Sequence, residues 1–410
     1  MKKTVCLLTN WYPTKENPYA GLFFKEQAFA VSDAFDFKVV KYREHMRKKP
    51  WKKPSVSIVN KEGNTIEYDI DVYVPLRIYL ADIIHNFKVK RSGKTIEGVG
   101  KYVSEARKKF TKDAITKLFE EHVGDADVFY CIDAQKDAYY LQYLSEYFKK
   151  PYVAGEHAPV PWPGTVLRDI DKEAIEKADL FLAISYDKMR QLMLQNIRLP
   201  KSVYIGNLID EDMFPIRTKS NDIKTFIIVA ANSFYKNYDM FISVMNRLTE
   251  ICDVPFRVRI VGYASNKGYS KNKEEFEEKI ANSKFSKVAE LVPAVEHSVL
   301  WKEYAKADAF VMTSIQEGQP VSAMEAACCG LPIFSTACGG VEDYVDESIG
   351  RIYAISDVDG MAQGLKNFLE GEVSFDKEHI REKVISLFGK KAFTDNFKDA
   401  FDSVINNAKS

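Results

Sequence analysis

Short apolar runs alternate with amphipathic segments along most of the chain. In the first half the strand-like runs are VCLLTN, DFKVVKY, TIEYDIDVYVPL, DVFYCID, PYVAGEH and ADLFLAIS. Segments with apolar positions at helical spacing separate them, and the longest, GKYVSEARKKFTKDAITKLFEEHV, predicts an amphipathic helix. Residues 43–64 interrupt the alternation as a polar, basic excursion. Strand–helix alternation of this kind predicts a parallel sheet covered by helices on both faces.

A second alternation follows the linker-like segment PIRTKSND. It starts at KTFIIVAAN, continues through FRVRIVGY, KVAELVPA and DAFVMTS, and ends near GRIYAI. A chain of 410 residues is too long for one hydrophobic core and suits two domains. Two consecutive doubly wound domains place a cleft between them, where ligands commonly bind.

Composition narrows the functional classes. The chain is 46% apolar and 28% charged, as in ordinary globular proteins, and no apolar run approaches the ~20 residues that span a bilayer. The six cysteines form no C-x2-C pair, which argues against a zinc site and a disulfide framework. The N-terminal run VCLLTN predicts a first strand rather than a signal peptide. We therefore predict a cytoplasmic protein.

The net charge is zero, but residues 1–117 carry 24 Lys and Arg against 13 Asp and Glu. The densest basic part lies within residues 43–54, where Trp51 stands among lysines and arginines. Two interpretations stay open: a solvated basic loop, or contact with an anionic membrane surface. The second would place the protein peripherally on the inner face of the plasma membrane. No recognition motif accompanies the charge, so a nucleic-acid partner is not expected.

Two glutamates eight positions apart, Glu317 and Glu325, stand in SIQEGQPVSAMEAACCGLPIFST, which reads as strand end, loop, helix and strand. Ligands of open parallel sheets bind outside the carboxyl ends of the strands. Two carboxylates at that edge can accept sugar hydroxyls, and the start of the helix can face an anion. The residues at this helix start are Gly318, Gln319, Pro320, Val321 and Ser322. The pattern predicts a nucleotide-sugar site; a pair of capping or surface glutamates is the alternative.

This spacing resembles the E-x7-E signature of retaining glycosyltransferases of family 4. Further segments resemble that family in the expected order: YPTKENPYAGLFFKEQAFAV, KADLFLAIS, SVYIGNLIDEDMF, VAANSFYKN, RIVGY and GLPIFSTACGGVEDYV. The resemblance implies an α/β GT-B fold, with two doubly wound Rossmann-like domains facing an interdomain cleft. It implies an acceptor-binding domain over residues 1–207, completed by a returning C-terminal helix over 391–407, and a nucleotide-sugar-binding domain over 208–390.

The resemblance also assigns roles to single residues. Glu317 would bind the donor sugar and Glu325 the ribose. Lys236 would neutralise the leaving diphosphate, and His157 would contact the sugar near its reacting carbon. The chain departs from the family at Ala231, where the family has an arginine. The alternative for Lys236 is an ordinary solvated lysine, and the alternative for His157 is a structural histidine.

Weaker candidates complete the predicted site. The backbone of Ala294 and Val295 would border the nucleotide base, and Gly21 would border the diphosphate and the acceptor; loop flexibility is the alternative for Gly21. Several Asp-x-Asp pairs occur, among them Asp69 with Asp71, but none follows a buried strand into a loop with further ligands. We therefore expect no catalytic metal and no cofactor.

The predicted activity is transfer of a sugar from a nucleotide diphosphate to an acceptor hydroxyl, with retention of anomeric configuration. The expected acceptor is a glycan or lipid-linked glycan of bacterial surface polysaccharide or glycolipid synthesis. Two alternatives belong to other classes: a nonhydrolysing sugar-nucleotide epimerase, and a catalytically silent sugar-nucleotide-binding protein. The missing arginine at Ala231 favours the second of these.

Overall fold

The computed structural model describes residues 2–9, 11–13, 21–45, 51–91, 104–157, 167, 169–218, 221–264 and 273–408. The chain forms two compact units. Unit 1 comprises Met1–Leu208 with Phe393–Ser410, and unit 2 comprises Ile209–Ala392. Most of the predicted N-terminal loop, residues 14–20, and residues 46–50 of the basic stretch lie outside the described residues.

Unit 1 is built on a sheet to which the described residues contribute eight strands. Their order is β3-β4-β2-β1-β5-β6-β7-β8, and every pairing is parallel except that of β3 with β4. The strands are β1 (Lys3–Leu8), β2 (Phe35–His45), β3 (Ser55–Glu62), β4 (Thr65–Tyr73), β5 (Val128–Cys131), β6 (Tyr152–Glu156), β7 (Leu180–Ala183) and β8 (Ser202–Tyr204). The first six helices are α1 (Leu22–Ala30), α2 (Leu76–Arg91), α3 (Glu105–His122), α4 (Ala134–Phe148), α5 (Asp169–Glu176) and α6 (Tyr186–Met193).

The sheet of unit 1 has a hydrophobic core on each face. Successive residues of a strand point to opposite faces, so Cys6 and Leu8 of β1 join one core while Val5 and Leu7 join the other. Apolar residues on both faces explain why strands such as β1, β5 and β7 read as continuous apolar runs rather than as alternating ones.

Two elements of unit 1 differ from the sequence prediction. The polar excursion predicted over residues 43–64 contains β3, an exposed edge strand that pairs antiparallel with β4. Gly63, at φ 56°, forms the turn between them, because the left-handed region favours glycine. Helix α2 follows β4 directly and is absent from the sequence prediction, since its apolar residues surround the helix and leave no clear polar face.

Unit 2 contains a second, fully parallel sheet. Its six described strands are β9 (Lys224–Val229), β10 (Phe256–Val261), β11 (Ala289–Val292), β12 (Ala309–Met312), β13 (Ile333–Thr336) and β14 (Gly350–Tyr353). Its helices are α7 (Tyr238–Ile251), α8 (Lys273–Ala281), α9 (Trp301–Tyr304), α10 (Val321–Cys328), α11 (Val358–Glu370) and α12 (Lys377–Phe388). The strand order β11-β10-β9-β12-β13-β14 reverses between β9 and β12, the doubly wound arrangement that binds ligands at this reversal.

The last helix, α13 (Lys390–Asn407), belongs mostly to unit 1. Its aromatic residues Phe397 and Phe401 pack against Phe35 of β2, with ring centroids 5.8 and 5.9 Å away. Burial of aromatic surface is a large stabilising contribution, which explains why the chain returns to this sheet. The predicted α/β class with two doubly wound domains and a returning C-terminal helix is confirmed.

Candidate functional site

The chain reversal in the sheet of unit 2 brings two loops together. The loop after β9 contains a short 3-10 turn, Phe234–Lys236, and residues 313–320 follow β12. Backbone contacts join the loops: the amide of Ile315 donates to the carbonyl of Tyr235 at 2.7 Å. The Thr313 hydroxyl donates to the Lys236 carbonyl at 3.2 Å. Both loops therefore hold fixed positions at the carboxyl edge of the sheet.

Lys236 and Glu317 face each other at this edge. Lys236 Nζ lies 2.6 Å from Glu317 Oε1, and the two side chains are 25% and 15% exposed. The Glu317 amide donates to the Cys338 carbonyl at 2.7 Å, which fixes the backbone under the carboxylate. The sequence predicted both residues at strand ends, and the structure brings them into contact. A cation and an anion that a ligand can still reach are thus placed side by side.

Helix α10 begins beside this pair. Residues 318–320 are buried, and Val321 and Ser322 are half-buried. Gly340 has φ 69°, and a Cβ there would lie 2.3 Å from the Gly318 carbonyl oxygen, so only glycine fits against this loop. Amides in the first turn of a helix have no intrahelical acceptor and carry the positive end of the helix dipole. The start of α10 therefore offers a local preference for an anion.

Glu325 lies in the second turn of α10 and is buried. Its Oε1 lies 2.7 Å from His297 Nε2, and its Oε2 accepts a hydrogen bond from the Tyr304 hydroxyl at 2.8 Å. Burial, reinforced by the Glu325 carboxylate, raises the pKa of Tyr304 well above its usual value, so this hydroxyl stays a donor. These contacts support a structural role for Glu325. A carboxylate has further lone pairs, and its predicted ribose contact stays a prediction.

No sequence pattern pointed to Tyr304 as a partner of Glu325. Tyr304 ends the short helix α9, and its contact with Glu325 arises from the packing of α9 near α10. His297 begins the 3-10 turn His297–Val299 before α9, and no sequence pattern indicated its contact with Glu325.

The residues predicted beside the nucleotide base lie at the same edge of the sheet. Ala294 is exposed and Val295 is half-buried, and both follow the carboxyl end of β11. A cavity of about 1040 Å³ opens at the opposite edge, near Thr225 and Phe256 at the amino ends of β9 and β10. We place the candidate site at the carboxyl edge and not in this cavity, because ligands of doubly wound sheets bind at the carboxyl ends of the strands.

His157 and Gly21 belong to unit 1. His157 follows β6, its Nδ1 lies 3.2 Å from the Ile132 carbonyl oxygen, and its ring packs edge-on against Phe24 at 4.7 Å. Burial lowers the pKa of His157 to about 3, so the imidazole is neutral near pH 7. Gly21 has φ 63°, and a Cβ there would lie 2.3 Å from the Trp11 carbonyl oxygen, so local packing alone requires glycine. The predicted roles of both residues at the donor stay predictions.

A buried group of charged residues lies beside His157, at the carboxyl ends of β5 and β6. Burial and the nearby Asp133 raise the pKa of Glu156 to about 7. Burial lowers the pKa of Lys188 to about 8, although Glu156 opposes this shift. Asp137 accepts a hydrogen bond from the Tyr42 hydroxyl at 2.8 Å, and burial raises its pKa well above the usual value. Sequence patterns did not single out this group, because its pKa shifts depend on burial.

The Asp-x-Asp pair Asp69 and Asp71 is held by an ion pair with Lys41 and a hydrogen-bond contact with His45. Lys41 Nζ lies 3.4 Å from Asp69 Oδ1, and His45 Nε2 lies 2.7 Å from Asp71 Oδ1. Within the described ranges, no group of three or more His, Cys, Asp or Glu is placed to hold a metal ion. The expected absence of a catalytic metal and of a cofactor stays a prediction. In the same ranges no helix combines the length and apolar character needed to cross a membrane.

Comparison with known proteins finds a family match within unit 2. Residues 210–385 match the family model of the glycosyl transferases group 1. This match covers Lys236, Glu317 and Glu325. The chain is also 25% identical over 213 residues to a curated relative from Arabidopsis thaliana, one of the subunits of phosphatidylinositol N-acetylglucosaminyltransferase; the match covers 51% of this chain and 46% of that protein. The chain thus matches about half the length of its first curated relatives.

Solved structures match nearly the whole chain. Sucrose-phosphate synthase from Thermosynechococcus elongatus superimposes with a TM-score of 0.73 at 14% identity, over 99% of this chain and 100% of that one. HepE of Anabaena, solved in complex with UDP, gives a TM-score of 0.66 at 13% identity, over 98% and 100% of the two chains. At such identities the likeness establishes the fold alone, and it confirms the predicted GT-B architecture.

Proposed function

We propose that the chain is a retaining glycosyltransferase that moves a sugar from a nucleotide diphosphate donor to an acceptor hydroxyl. The observation that carries the proposal is the contact of Lys236 with Glu317 at the reversal point of the unit 2 sheet. A cation, a carboxylate and a helix start side by side match a donor in which an anionic diphosphate is joined to a hydroxylated sugar. The glycosyltransferase family match over the same unit supports the proposal.

Each group at this edge has a distinct task in the proposal. Lys236 and the first amides of α10 neutralise the charge that develops on the leaving diphosphate. Glu317 accepts hydrogen bonds from hydroxyls of the donor sugar, and Glu325 accepts them from the ribose. Because Lys236 and Glu317 contact each other in the free protein, donor binding has to replace part of their contact.

The proposed chemistry retains the anomeric configuration. The bond between the anomeric carbon and the phosphate oxygen breaks, and the acceptor oxygen bonds to the same face of that carbon. The departing phosphate oxygen takes the proton of the acceptor hydroxyl, so no protein base is required. A double displacement through a carboxylate nucleophile is the alternative route to the same outcome.

The proposed acceptor is a glycan or lipid-linked glycan of bacterial surface polysaccharide or glycolipid synthesis, and unit 1 is proposed to bind it. The name of the plant relative, which belongs to a phosphatidylinositol N-acetylglucosaminyltransferase, supports a lipid-linked acceptor. The proposed location is the cytoplasm, with peripheral attachment to the inner face of the plasma membrane.

Incubation with UDP-, GDP- and ADP-sugars and a set of acceptors, scored by released nucleotide, tests the proposal. We expect one donor class to release nucleotide with an acceptor, and the product to keep the anomeric configuration of the donor. Glu317→Ala and Lys236→Ala should each lower turnover by roughly a hundredfold. Lys287→Ala removes an exposed lysine in the 3-10 turn just before β11 and should leave turnover unchanged.

Three outcomes contradict the proposal. An isomerised donor would indicate an epimerase, and donor binding without turnover across all acceptors would indicate a silent binding protein. Near-normal turnover in both site variants would refute the assignment of Lys236 and Glu317.

A further inference from the structure

Helix α2 of unit 1 turns an apolar stripe to solvent. Leu76, Leu80, Ile83, Ile84 and Phe87 are between 45% and 62% exposed. At about 100° of rotation per residue these five side chains fall within an arc of roughly 100° on the helix surface. A surface helix usually directs such a stripe to the core. Helix α2 therefore exposes apolar surface of a kind that helices of globular proteins usually bury.

The orientation is fixed by the other side of the helix. Asp82 is buried, and its Oδ1 accepts a hydrogen bond from the Ser104 amide at 2.9 Å. Its Oδ2 forms an ion pair with Arg107 of α3 at 3.0 Å. Breaking a buried ion pair is costly, so α2 does not simply rotate to bury its apolar stripe.

Cations border the exposed stripe. The sequence of α2 holds four Lys and Arg and a single acid, Asp82, which faces inward. Arg77 and Lys88 lie along one border of the stripe by helical geometry. The Arg91 guanidinium lies over the Phe87 ring, 5.5 Å from its centroid. We call the five apolar residues together with Arg77, Lys88 and Arg91 the α2 surface.

Lys52, in the described part of the basic stretch, lies near the start of α2. Trp51 is 81% exposed, and Lys52 Nζ lies 5.4 Å from the centroid of the Tyr73 ring. Tyr73 is the last residue of β4, and α2 begins shortly after it at Leu76. An exposed tryptophan and further lysines therefore extend the cationic and apolar character beyond the helix.

We propose that the α2 surface docks on an anionic phospholipid bilayer. The helix would lie in the plane of the headgroups, with its apolar stripe inserted and its cations on the lipid phosphates. Charge favours this occupant over a second copy of the chain, because a symmetric contact would bring the same cations against one another. The inference rests on the peripheral membrane attachment in the proposed function and assigns it to a surface of unit 1. It does not rest on the transfer reaction, so flotation can fail while nucleotide release still supports the proposed transferase activity.

Flotation of the full chain with phosphatidylcholine vesicles, with and without phosphatidylserine, tests the proposal. We expect binding to the phosphatidylserine vesicles that weakens as salt is raised. Ile84→Gln with Phe87→Gln should lower the partition coefficient at least tenfold. The matched control, Met193→Gln with Leu194→Gln, removes two exposed apolar side chains elsewhere in unit 1 and should leave it unchanged.

A variant of the α2 cations measures the electrostatic contribution to vesicle binding separately from the apolar contribution. Because each cation near an anionic surface contributes about fivefold in binding, Arg77→Glu with Lys88→Glu should lower the partition coefficient by more than about 25-fold. Unchanged circular dichroism spectra would establish that these exposed substitutions leave the fold intact. Equal flotation of the wild-type protein and the α2 variants overturns the proposal. Self-association that the apolar variant abolishes, without vesicle binding by the wild type, overturns it in favour of a second copy.

Discussion

Glu317→Gln is expected to strengthen the binding of a nucleoside diphosphate while lowering sugar transfer. In the free protein Glu317 Oε1 lies 2.6 Å from Lys236 Nζ, so a diphosphate has to compete with the carboxylate for this cation. The carboxylate also repels the diphosphate. Glutamine keeps the size of the side chain and one acceptor oxygen but removes the charge. A nucleoside diphosphate keeps its ribose but lacks the transferred sugar that Glu317 is proposed to bind, so it loses no contact with Glu317 in the variant.

The size of the gain follows from the exposure of the pair. Two unit charges about 4 Å apart interact by about 4 kcal/mol at an effective dielectric constant of about 20. Exposed ion pairs contribute only about 0.2–1 kcal/mol, because water screens them and the side chains lose freedom. Lys236 and Glu317 are 25% and 15% exposed, so we take the upper end of that range. About 1 kcal/mol corresponds to a Kd lowered about fivefold.

Titration calorimetry with UDP, GDP and ADP measures the affinity, and release of nucleotide from the donor sugar measures turnover. Turnover should fall by roughly a hundredfold, since a contact to the reacting sugar is lost. Glu347→Gln removes an exposed acid of unit 2 away from the carboxyl edge and serves as the control. An unchanged or weaker nucleoside diphosphate affinity in Glu317→Gln, or the same gain in Glu347→Gln, would show that Glu317 does not compete with the diphosphate for Lys236.

Three further predictions follow from single positions. Ala231→Arg adds a cation to the loop that carries Lys236, the lysine proposed to bind the diphosphate. Calorimetry should show nucleoside diphosphate affinity rising about fivefold in this variant and unchanged in Ala231→Gln, and equal effects of both substitutions would contradict the prediction. Gly340→Ala places a Cβ 2.3 Å from the Gly318 carbonyl oxygen at φ 69° and should lower the free energy of unfolding by more than about 2 kcal/mol. Gly371→Ala, where φ is 81° and a Cβ would meet no atom within 4 Å, should lower the free energy of unfolding by only about 1 kcal/mol. Urea titration measures the loss in both variants, and equal losses would contradict the steric explanation. Burial raises the pKa of Glu156 to about 7, so the folded state holds a proton that the unfolded state loses near the ordinary value of 4.5. Wild-type stability should therefore fall as pH rises from about 4.5 through 7. Glutamine cannot titrate, so the Tm of Glu156→Gln minus the Tm of the wild type should rise over the same pH range. A Tm difference that stays constant with pH would contradict this prediction.

The two sheets could be predicted because their strands are buried on both faces. Runs such as VCLLTN and KTFIIVAAN are continuously apolar, which is what a parallel sheet covered by helices requires. Helix α2 could not be predicted in the same way. Its apolar residues lie both on the exposed stripe and on the side facing α3, so no clear amphipathic period emerges. Strand β3 was missed because it is an exposed edge strand with polar neighbours.

The candidate site was predictable where it depends on strand ends. Lys236 and Glu317 follow neighbouring strands, and parallel strands end at the same edge, so their contact follows from topology. The hydrogen bonds of Glu325 with His297 and Tyr304 depend on how α9 packs near α10, which no local pattern encodes. The spacing of Glu317 and Glu325 also did not predict their different burial: a ligand can reach the Glu317 carboxylate, whereas Glu325 is buried.

A crystal structure of the protein with its nucleotide diphosphate sugar would show whether Lys236, Glu317 and the start of α10 bind the donor. We expect diphosphate oxygens within hydrogen-bond distance of Lys236 Nζ and of the first amides of α10, with Glu317 turned from Lys236 to the sugar hydroxyls. A donor bound elsewhere, with the contact between Lys236 and Glu317 intact, would contradict this expectation.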